Sequence, residues 1–283
     1  MFTGFFIVVI GIGWAFSWVY DSQAILIFAV IFSSGMAILS YWFSDKIVLK
    51  MARAKPVELK NHPELFRIVE NLSITAGLPM PRVYIVPEAA PNAFATGRNP
   101  ENSVVAVTEG LLNKLDRTEL EGVIAHELSH IGNRDMLVGT VAVILVGFIS
   151  LLADIFMRSM WFGGMRGRGN RDGAGVWLIV AGIALSVLAP IAATMIRLAI
   201  SRRRESLADA SGALLTRYPE GLATALEKIA HDRTPMKFAN NTTSHLWLED
   251  PFHDQKKTPL FHKLFMSHPP TEERVKALRD MAI

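Results

Sequence analysis

Two histidines and a glutamate stand close together in the stretch HELSH, at His126, Glu127 and His130. On an α-helix, side chains four residues apart share one face, so both imidazoles can reach the same ion while Glu127 projects beside them. Zn²⁺ is bound by imidazole nitrogens. A catalytic zinc has three protein ligands and leaves one position for water. The spacing therefore predicts a zinc site in which Glu127 is the base that takes a proton from the attacking water.

A short motif also has an ordinary structural alternative. In that alternative, the two histidines hydrogen-bond to their neighbours and Glu127 faces solvent on a helix without catalytic function. A catalytic zinc site needs a third protein ligand. The chain has no cysteine, so this ligand must be a histidine or a carboxylate.

The best candidate for the third ligand lies in the stretch RRRESLAD. Glu205 and Asp209 are four residues apart and share one helical face. Glu205 can then bind the metal while Asp209 accepts the free ring N–H of a ligand histidine, which is the usual arrangement around bound zinc. The alternative for Glu205 is an ion pair with the adjacent arginines, Arg202 to Arg204. The need for a third ligand favours the metal.

Four runs without any Asp, Glu, Lys or Arg surround these motifs. At about 1.5 Å per residue, each is long enough for a hydrocarbon core about 30 Å thick, although the third, with 18 residues, is near the lower limit. The first lacks the basic start and the small-residue cleavage site of a secretory signal, so we interpret it as a retained anchor. The chain is predicted to be a mainly α integral membrane protein with four transmembrane helices, at 1–20, 22–44, 136–153 and 173–196.

These runs divide the chain into four segments. Residues 1–44 form two N-terminal transmembrane helices, and residues 136–196 form a transmembrane hairpin around the glycine-rich loop 157–175. The two polar segments, 45–135 and 197–283, each carry one of the motifs. Because HELSH precedes the hairpin and ESLAD follows it, both motifs are predicted to emerge at the same face of the bilayer.

Positive charges beside the predicted helices set their orientation, because Lys and Arg concentrate on the cytoplasmic side. More of them follow the second and fourth runs than lie in the loop 157–175, so both polar segments are predicted to be cytoplasmic. The net charge of +3 then reflects contact with lipid headgroups and not nucleic-acid binding. The flanking cations are Lys46, Lys50, Arg53, Lys55, Arg197 and Arg202 to Arg204, and the opposing ones in the loop are Arg158, Arg166, Arg168 and Arg171.

Several regular elements are predicted around the motifs. Apolar residues recur at helical spacing in 62–79, where a Gly and a Pro end the pattern. The stretches RVYIV (82–86) and SVVAV (103–107) are short and β-branched, which predicts a small sheet with a turn at an Asn-Pro pair between them.

HELSH itself is predicted to lie inside a helix. Thr118 and Glu121 have capping-box spacing, and an apolar stripe of helical period follows them. No breaker separates HELSH from the third charge-free run, so one helix, or a slightly bent pair, is predicted to carry the motif to the bilayer surface. A second long helix is predicted over 197–217.

These motifs together carry a resemblance to a known family. HELSH with ESLAD resembles the gluzincin pattern HExxH plus ExxxD. With four charge-free runs and the stretch PNAFATG, the chain resembles the HtpX family of membrane-bound zinc metalloproteases, relatives of the prenyl-protein (CAAX) proteases. The match runs from the first apolar run to SHPPTEERVKAL near the end. It implies a gluzincin-like metalloprotease domain with a small β-sheet beside the four transmembrane helices.

The resemblance also implies a role for each residue of the site. One Zn²⁺ per chain is bound by His126, His130 and Glu205, Glu127 is the base, and Asp209 supports a ligand histidine.

Two further features follow from the resemblance alone. An edge strand beside the cleft pairs with an extended substrate backbone, and two residues of an SHP…R motif lie near the site and stabilise the developing oxyanion. Without the family pattern, a histidine before Pro-Pro is an ordinary turn residue. The edge-strand residues are Asn92, Ala93, Phe94 and Ala95, and the motif residues are His268 and Arg274.

The function expected from these features is zinc-dependent hydrolysis of peptide bonds in misfolded membrane proteins, at the cytoplasmic face of the cell inner membrane. The partners are polypeptide substrates and the lipid bilayer, without nucleic acid. One alternative is a specific prenyl-protein processing protease, although such relatives have more membrane helices. Another is a non-catalytic membrane bundle or assembly factor with a structural metal site, which would not need Glu127. The sequence leaves the substrates and the oligomeric state open.

Overall fold

The computed structural model of the chain divides into two compact units, one of residues 1–42 with 142–196 and one of residues 43–141 with 197–283. It describes residues 22–137, 202–237, 246–249 and 269–281, and the single positions 10, 14, 17, 139 and 141. The predicted membrane helix at 173–196 and the loop 157–175 lie outside the described residues, as do nearly all of 1–20 and 136–153. Four transmembrane helices therefore remain a prediction.

The first described helix, α1 (Gln23–Met51), contains the second charge-free run. Large apolar side chains along it are exposed, among them Ile27, Phe28 and Ile31. Within the described part of the chain, no single helix has both the length and the hydropathy of a membrane span. The two stretches Leu26–Met36 and Tyr41–Met51, bent by 70° relative to each other, meet the requirement only together.

The larger unit contains a four-stranded sheet with the order β1-β2-β4-β3. Strands β2 and β4 are parallel, and the other two pairs are antiparallel. The two strands predicted from β-branched residues are confirmed as β2 and β4, and Asn99 caps a short 3₁₀ turn between β3 and β4. The strands are β1 (Lys55–Pro56), β2 (Arg82–Val86), β3 (Ala93–Gly97) and β4 (Ser103–Thr108).

Within its described residues, the same unit has six further helices. The helix predicted over 62–79 is confirmed as α2, and it ends where Gly77 adopts a left-handed conformation, φ 64°. Helix α4, which carries HELSH, packs against β3 and β4 and against helices α2, α5 and α6. The helices are α2 (Pro63–Ala76), α3 (Glu109–Lys114), α4 (Arg117–Gly132), α5 (Arg202–Thr216), α6 (Pro219–Ala230) and α7 (Thr271–Arg279).

The capping box that begins α4 lies two residues earlier than predicted. Asp116 accepts a hydrogen bond from the backbone N–H of Glu119, and the Glu119 carboxylate accepts one from the backbone N–H of Asp116. Thr118 instead donates its hydroxyl to Asp116, and Glu121 pairs with Arg117 one turn away. The predicted pair was wrong because Thr118 already lies within the helix and Glu121 lies beyond its first turn, whereas a cap residue precedes the helix and its partner is the third helical residue.

The end of α4 also differs from the prediction. The helix stops at Gly132, Arg134 takes a left-handed conformation with φ 59°, and the backbone is helical again at Met136. A tight turn therefore replaces the continuous or slightly bent helix. Gly and Asn are weak helix formers and favour helix ends, and the turn is closed by the backbone N–H of Asp135, which donates to the carbonyl of His130.

Two glycines let α4 touch the backbone of its neighbours. A Cβ atom on Gly212 of α5 would lie 2.9 Å from the backbone nitrogen of His126, and one on Gly122 of α4 would lie 2.7 Å from the nitrogen of Leu222 in α6. Real Cβ atoms do not approach so closely, so a side chain at either position would push the helices apart. Gly212 thereby sets the distance between α5 and His126.

Candidate metal centre

The three predicted ligands converge in the core of the larger unit. Their ligand atoms, one each from His126, His130 and Glu205, all lie within 4.8 Å of one another. The two Nε2 atoms are 3.2 Å apart, Glu205 Oε2 is 3.8 Å from Nε2 of His126, and Oε1 is 3.5 Å from Nε2 of His130. A single ion can therefore be shared by all three side chains.

The helices explain this convergence. His126 and His130 lie one turn apart on α4, with ring planes nearly perpendicular and centroids 4.7 Å apart. Glu205 lies in the first turn of α5, which Gly212 holds against α4 further along. His126 and Glu205 are buried, whereas the side chain of His130 is 16% exposed. The site is thus closed from within the fold and open on the His130 side.

The donor set fits a catalytic zinc ion. Two imidazole nitrogens and one carboxylate oxygen form one of the ligand combinations of zinc hydrolases. The alternative for Glu205, an ion pair with the arginines before it, is not favoured by the contacts of Arg204. That guanidinium lies 3.3 Å from Asp135, whereas the carboxylate of Glu205 is directed at the two histidines.

Glu127 lies on α4 beside the ligands and is 3% exposed. The negative charge of Glu127 helps to raise the pKa of His130, so its carboxylate is close enough to affect this ligand electrostatically. A buried carboxylate at this place has the position expected of a base toward a water molecule at the metal.

Asp209 lies behind the first histidine. Its Oδ1 is 2.9 Å from Nδ1 of His126, which is a hydrogen-bonding distance. The two groups are not aligned well enough to form a hydrogen bond. Arg274 of α7 donates from Nε and Nη2 to the two oxygens of Asp209, at 2.9 and 2.7 Å. Burial would raise the pKa of Asp209, but the guanidinium of Arg274 lowers it well below its ordinary value. Asp209 is therefore a carboxylate directed at His126.

The two histidines differ in protonation when no metal is bound. Burial lowers the pKa of His126 despite the nearby Asp209. Burial would also lower the pKa of His130, but a hydrogen bond donated by its ring to Asp135 and the charges of Glu205 and Glu127 raise it to about 9. At neutral pH, His126 is neutral and His130 carries a proton, which a metal ion must displace.

The structure gives the SHP…R motif a clear position for only one of its residues. Arg274 is 3% exposed, and besides Asp209 it contacts the backbone carbonyl of Leu248, at 3.3 Å from Nη1. Three of its donor nitrogens thus face acceptors of the chain itself. His268 lies outside the described residues.

The predicted substrate strand corresponds to β3, an edge strand of the sheet as far as the structure describes the chain. Strand β3 begins at Ala93, and Asn92 precedes it. Register with β4 pairs Asn92 with Thr108, whose N–H donates to the Asn92 carbonyl. Backbone groups alternate in direction along a strand, so those of Ala93 and Ala95 point away from β4, toward the edge.

Part of this edge is already occupied by residues 247–249. The backbone N–H of Leu248 donates to the carbonyl of Ala93 at 2.9 Å. The side chain of Asn92 donates to the carbonyl of Glu249 at 2.9 Å and accepts from its N–H at 3.2 Å. Residues 92–95 are all buried, and at Ala93 the chain itself occupies the edge of the strand.

The same segment is anchored by its side chains. Trp247 packs edge-on against Phe94, with ring centroids 4.9 Å apart, and Leu248 belongs to the hydrophobic core. The carboxylate of Glu249 accepts a hydrogen bond from Thr271 at the start of α7. These contacts attach residues 247–249 firmly to both β3 and α7.

Several residues around the site were not found by the sequence analysis. Gly212 has no local signal for a close approach between helices, and residues 247–249 lie in a stretch without periodicity. Asp135 follows a turn that was predicted to be helix, and in a continuous helix it would not face His130. Only the helix-ending residues Gly132 and Asn133 could have indicated this turn.

Comparisons with known proteins agree on one relationship. The model of peptidase family M48 matches residues 59–282. Proteins named Protease HtpX homolog are similar over nearly their whole length: that of Syntrophobacter fumaroxidans is 46% identical over 275 residues, covering 96% of this chain and 94% of its own. The homolog of Thermococcus sibiricus is 48% identical over 275 residues (96% and 92%), and that of Pyrococcus furiosus 49% over 276 (97% and 91%).

One solved structure is also similar. The crystal structure of S. mikatae Ste24p superposes with a TM-score of 0.54 at 19% sequence identity, covering 96% of this chain. The chain spans 62% of the length of that protein. At this identity the likeness shows a common fold.

Proposed function

The chain belongs to peptidase family M48 and is a membrane-associated metallopeptidase, and on this basis we propose that it hydrolyses peptide bonds at a zinc ion held by His126, His130 and Glu205. One observation carries the proposal: the ligand atoms of these three residues converge within 4.8 Å. The matches to peptidase family M48 and to the HtpX homologs confirm the resemblance at the level of the family. The zinc ion and its ligands are the proposal.

Each residue of the proposed site has a separate task. Zinc supplies Lewis acidity, which lowers the pKa of water to about 7 and polarises a peptide carbonyl. The carboxylate of Glu127 takes a proton from the attacking water and passes it to the nitrogen of the leaving amine.

Asp209 and Arg274 are proposed to support the first ligand. Asp209 accepts the Nδ1–H of His126, so that Nε2 is presented to the ion. Arg274 keeps Asp209 ionised and in place through its two hydrogen bonds. This assigns Arg274 to Asp209 and not to the oxyanion, because its donors already face acceptors of the chain.

We propose that an extended substrate pairs with the edge of β3, starting at Ala95. The backbone groups of Ala95 point toward the edge, whereas the carbonyl of Ala93 accepts from the N–H of Leu248 and the side chain of Asn92 bonds the backbone of Glu249. Pairing at Ala93 therefore needs this segment to move aside.

The membrane is the proposed location of both enzyme and substrate. The charge-free runs and the exposed apolar side chains of α1 support insertion in a bilayer. The cations after the second and fourth runs support a cytoplasmic site at the inner membrane. Such a site favours misfolded membrane proteins as substrates, which gives the protein a role in quality control. A prenyl-protein processing activity has less support, since the likeness to Ste24p shows the fold alone.

The test compares the purified wild type with Glu127→Gln in detergent. We expect both to retain about one zinc per chain, while Glu127→Gln loses casein digestion by about 100-fold or more, as expected for a missing base. Glu121→Gln, on the exposed face of the same helix, is the matched control and should keep both properties. Loss of zinc in Glu127→Gln would make Glu127 structural, and a wild type without zinc would refute the proposed site.

A further inference from the structure

The second ligand histidine has a carboxylate partner of its own. Nε2 of His130 faces the ion site, 3.5 Å from Glu205, and Nδ1 on the other side of the ring lies 3.4 Å from Oδ2 of Asp135. The side chain of Asp135 is only 15% exposed. Neither the motifs nor the proposed mechanism has given Asp135 a task.

The turn after α4 is what brings Asp135 to this position. With Arg134 in the left-handed region, the chain folds back, and the backbone N–H of Asp135 donates to the carbonyl of His130 at 3.0 Å. Asp135 therefore makes two contacts with His130, one through its backbone N–H and one through its carboxylate. A continuous helix would have placed residue 135 on a different face from residue 130.

A cation from the other ligand-bearing helix completes the arrangement. Arg204 directly precedes Glu205 on α5, and its Nη1 lies 3.3 Å from Oδ1 of Asp135. The carboxylate thus lies between the end of α4 and the start of α5. One of its oxygens faces the histidine and the other faces the arginine.

This arrangement parallels the one behind the first histidine. There, Asp209 lies 2.9 Å from Nδ1 of His126 and is held by Arg274. Each ligand histidine has its Nε2 in the ion site and its Nδ1 against an aspartate paired with an arginine. We propose that Asp135 is a positioning residue, which accepts the Nδ1–H of His130 and so directs Nε2 at the metal.

The inference rests on the proposed zinc site, and it has a specific consequence. Without an acceptor at Nδ1, the ring of His130 can rotate or carry its proton on Nε2, and both changes remove a metal ligand. Carboxylates in this position typically contribute 10–100-fold to metal affinity or activity. Arg204 reaches this histidine through Asp135, so its loss should matter less.

The test measures zinc affinity of the full-length protein in detergent by competition with a chelator. Asp135→Ala should bind Zn²⁺ about 10–100-fold more weakly than the wild type. Asp135→Asn keeps an oxygen acceptor and should lose less, as should Arg204→Gln. The matched control is Asp45→Asn. Asp45 is similarly buried, with 13% of its side chain exposed, and it pairs with Arg82 at 2.6 Å and not with a ligand histidine. Its zinc affinity should equal that of the wild type.

Replacing zinc by Co²⁺ adds a spectroscopic measure of geometry. The visible absorption of the Co²⁺ form should change in Asp135→Ala and remain unchanged in Asp45→Asn and Arg204→Gln. Equal zinc loss in Asp135→Ala, Asp135→Asn and Arg204→Gln would show a merely structural tie between α4 and α5 and overturn the inference. So would unchanged zinc affinity in Asp135→Ala. Failure of the wild type to bind zinc would instead refute the proposed function.

Discussion

Arg274 binds both carboxylate oxygens of Asp209 across 65 positions of the sequence, in a pair that is almost completely buried. The pair connects α7 to α5 and, through Asp209, to the first histidine of the site. Breaking a buried ion pair by removing one partner leaves an uncompensated charge, which typically costs about 3–5 kcal/mol.

We therefore expect Arg274→Met to lower the free energy of unfolding by about 3–5 kcal/mol and to weaken zinc binding. Chemical denaturation and zinc titration in detergent measure the two effects. Arg279→Met is the control on the same helix, since Arg279 pairs with Glu220 and Glu227 at the surface, and it should change neither property appreciably. Equal behaviour of the two variants would refute a special role for the buried pair.

Glu205→Gln should bind zinc far more weakly than the wild type, because a neutral amide is a poor ligand for a dication. Glu220→Gln, which removes the charge of a surface glutamate on α6, should bind zinc normally. Zinc titration of the two purified variants decides the matter. If Glu205 only formed ion pairs with neighbouring arginines, its Gln variant would keep normal zinc affinity.

Zinc affinity should depend on pH through one histidine. The pKa of His130 without metal is about 9, so below that pH zinc must displace one proton from it, whereas His126, with its lowered pKa, is already neutral. Apparent affinity should rise about tenfold per pH unit from pH 7 toward pH 9 and then level off. Calorimetry in buffers of different ionisation enthalpy should detect the release of about one proton at pH 7.5. Binding without proton release would contradict the raised pKa.

Gly212→Ala should disturb the site without touching a ligand. Its Cβ would lie 2.9 Å from the backbone of His126, so α5 must shift away from α4 and carry Glu205 with it. Overpacking of this kind costs about 1–3 kcal/mol, and zinc affinity should fall as well. Gly132→Ala is the control, because its Cβ would lie 3.6 Å from the nearest atom of Leu78. Similar unfolding and zinc titration curves for both variants would exclude a role for the close contact.

Leu248→Pro tests whether residues 247–249 compete with substrate at β3. Proline lacks the N–H that bonds the Ala93 carbonyl, so this acceptor becomes available to a substrate strand. Leu248→Ala, which keeps the N–H and also shortens the side chain, is the matched comparison. We expect a lower KM for an extended peptide in Leu248→Pro than in Leu248→Ala. Identical KM values would indicate that the substrate does not pair at Ala93.

The sequence alone determined the features that depend on local geometry. The backbone of a helix fixes where residues four positions apart project, so HELSH placed His126 and His130 correctly on one face of α4, with Glu127 beside them. The same periodicity predicted α2, and β-branched stretches predicted β2 and β4. The family resemblance, carried by several motifs in order, was confirmed by relatives of more than 40% identity. Glu205 was predicted as the third ligand from its helical spacing with Asp209, its expected place at the same face as HELSH and the family pattern.

Only the tertiary structure decided what surrounds these residues. Asp135 reaches His130 because a turn interrupts the predicted helix, and Arg274 reaches Asp209 because α7 packs beside α5. Gly212 matters through its contact with α4, and residues 247–249 matter because they lie against β3. Most of these contacts join residues far apart in the chain, and none of them leaves a periodic pattern. They follow from how helices and strands pack once the core forms, and local backbone hydrogen bonding carries no information about them.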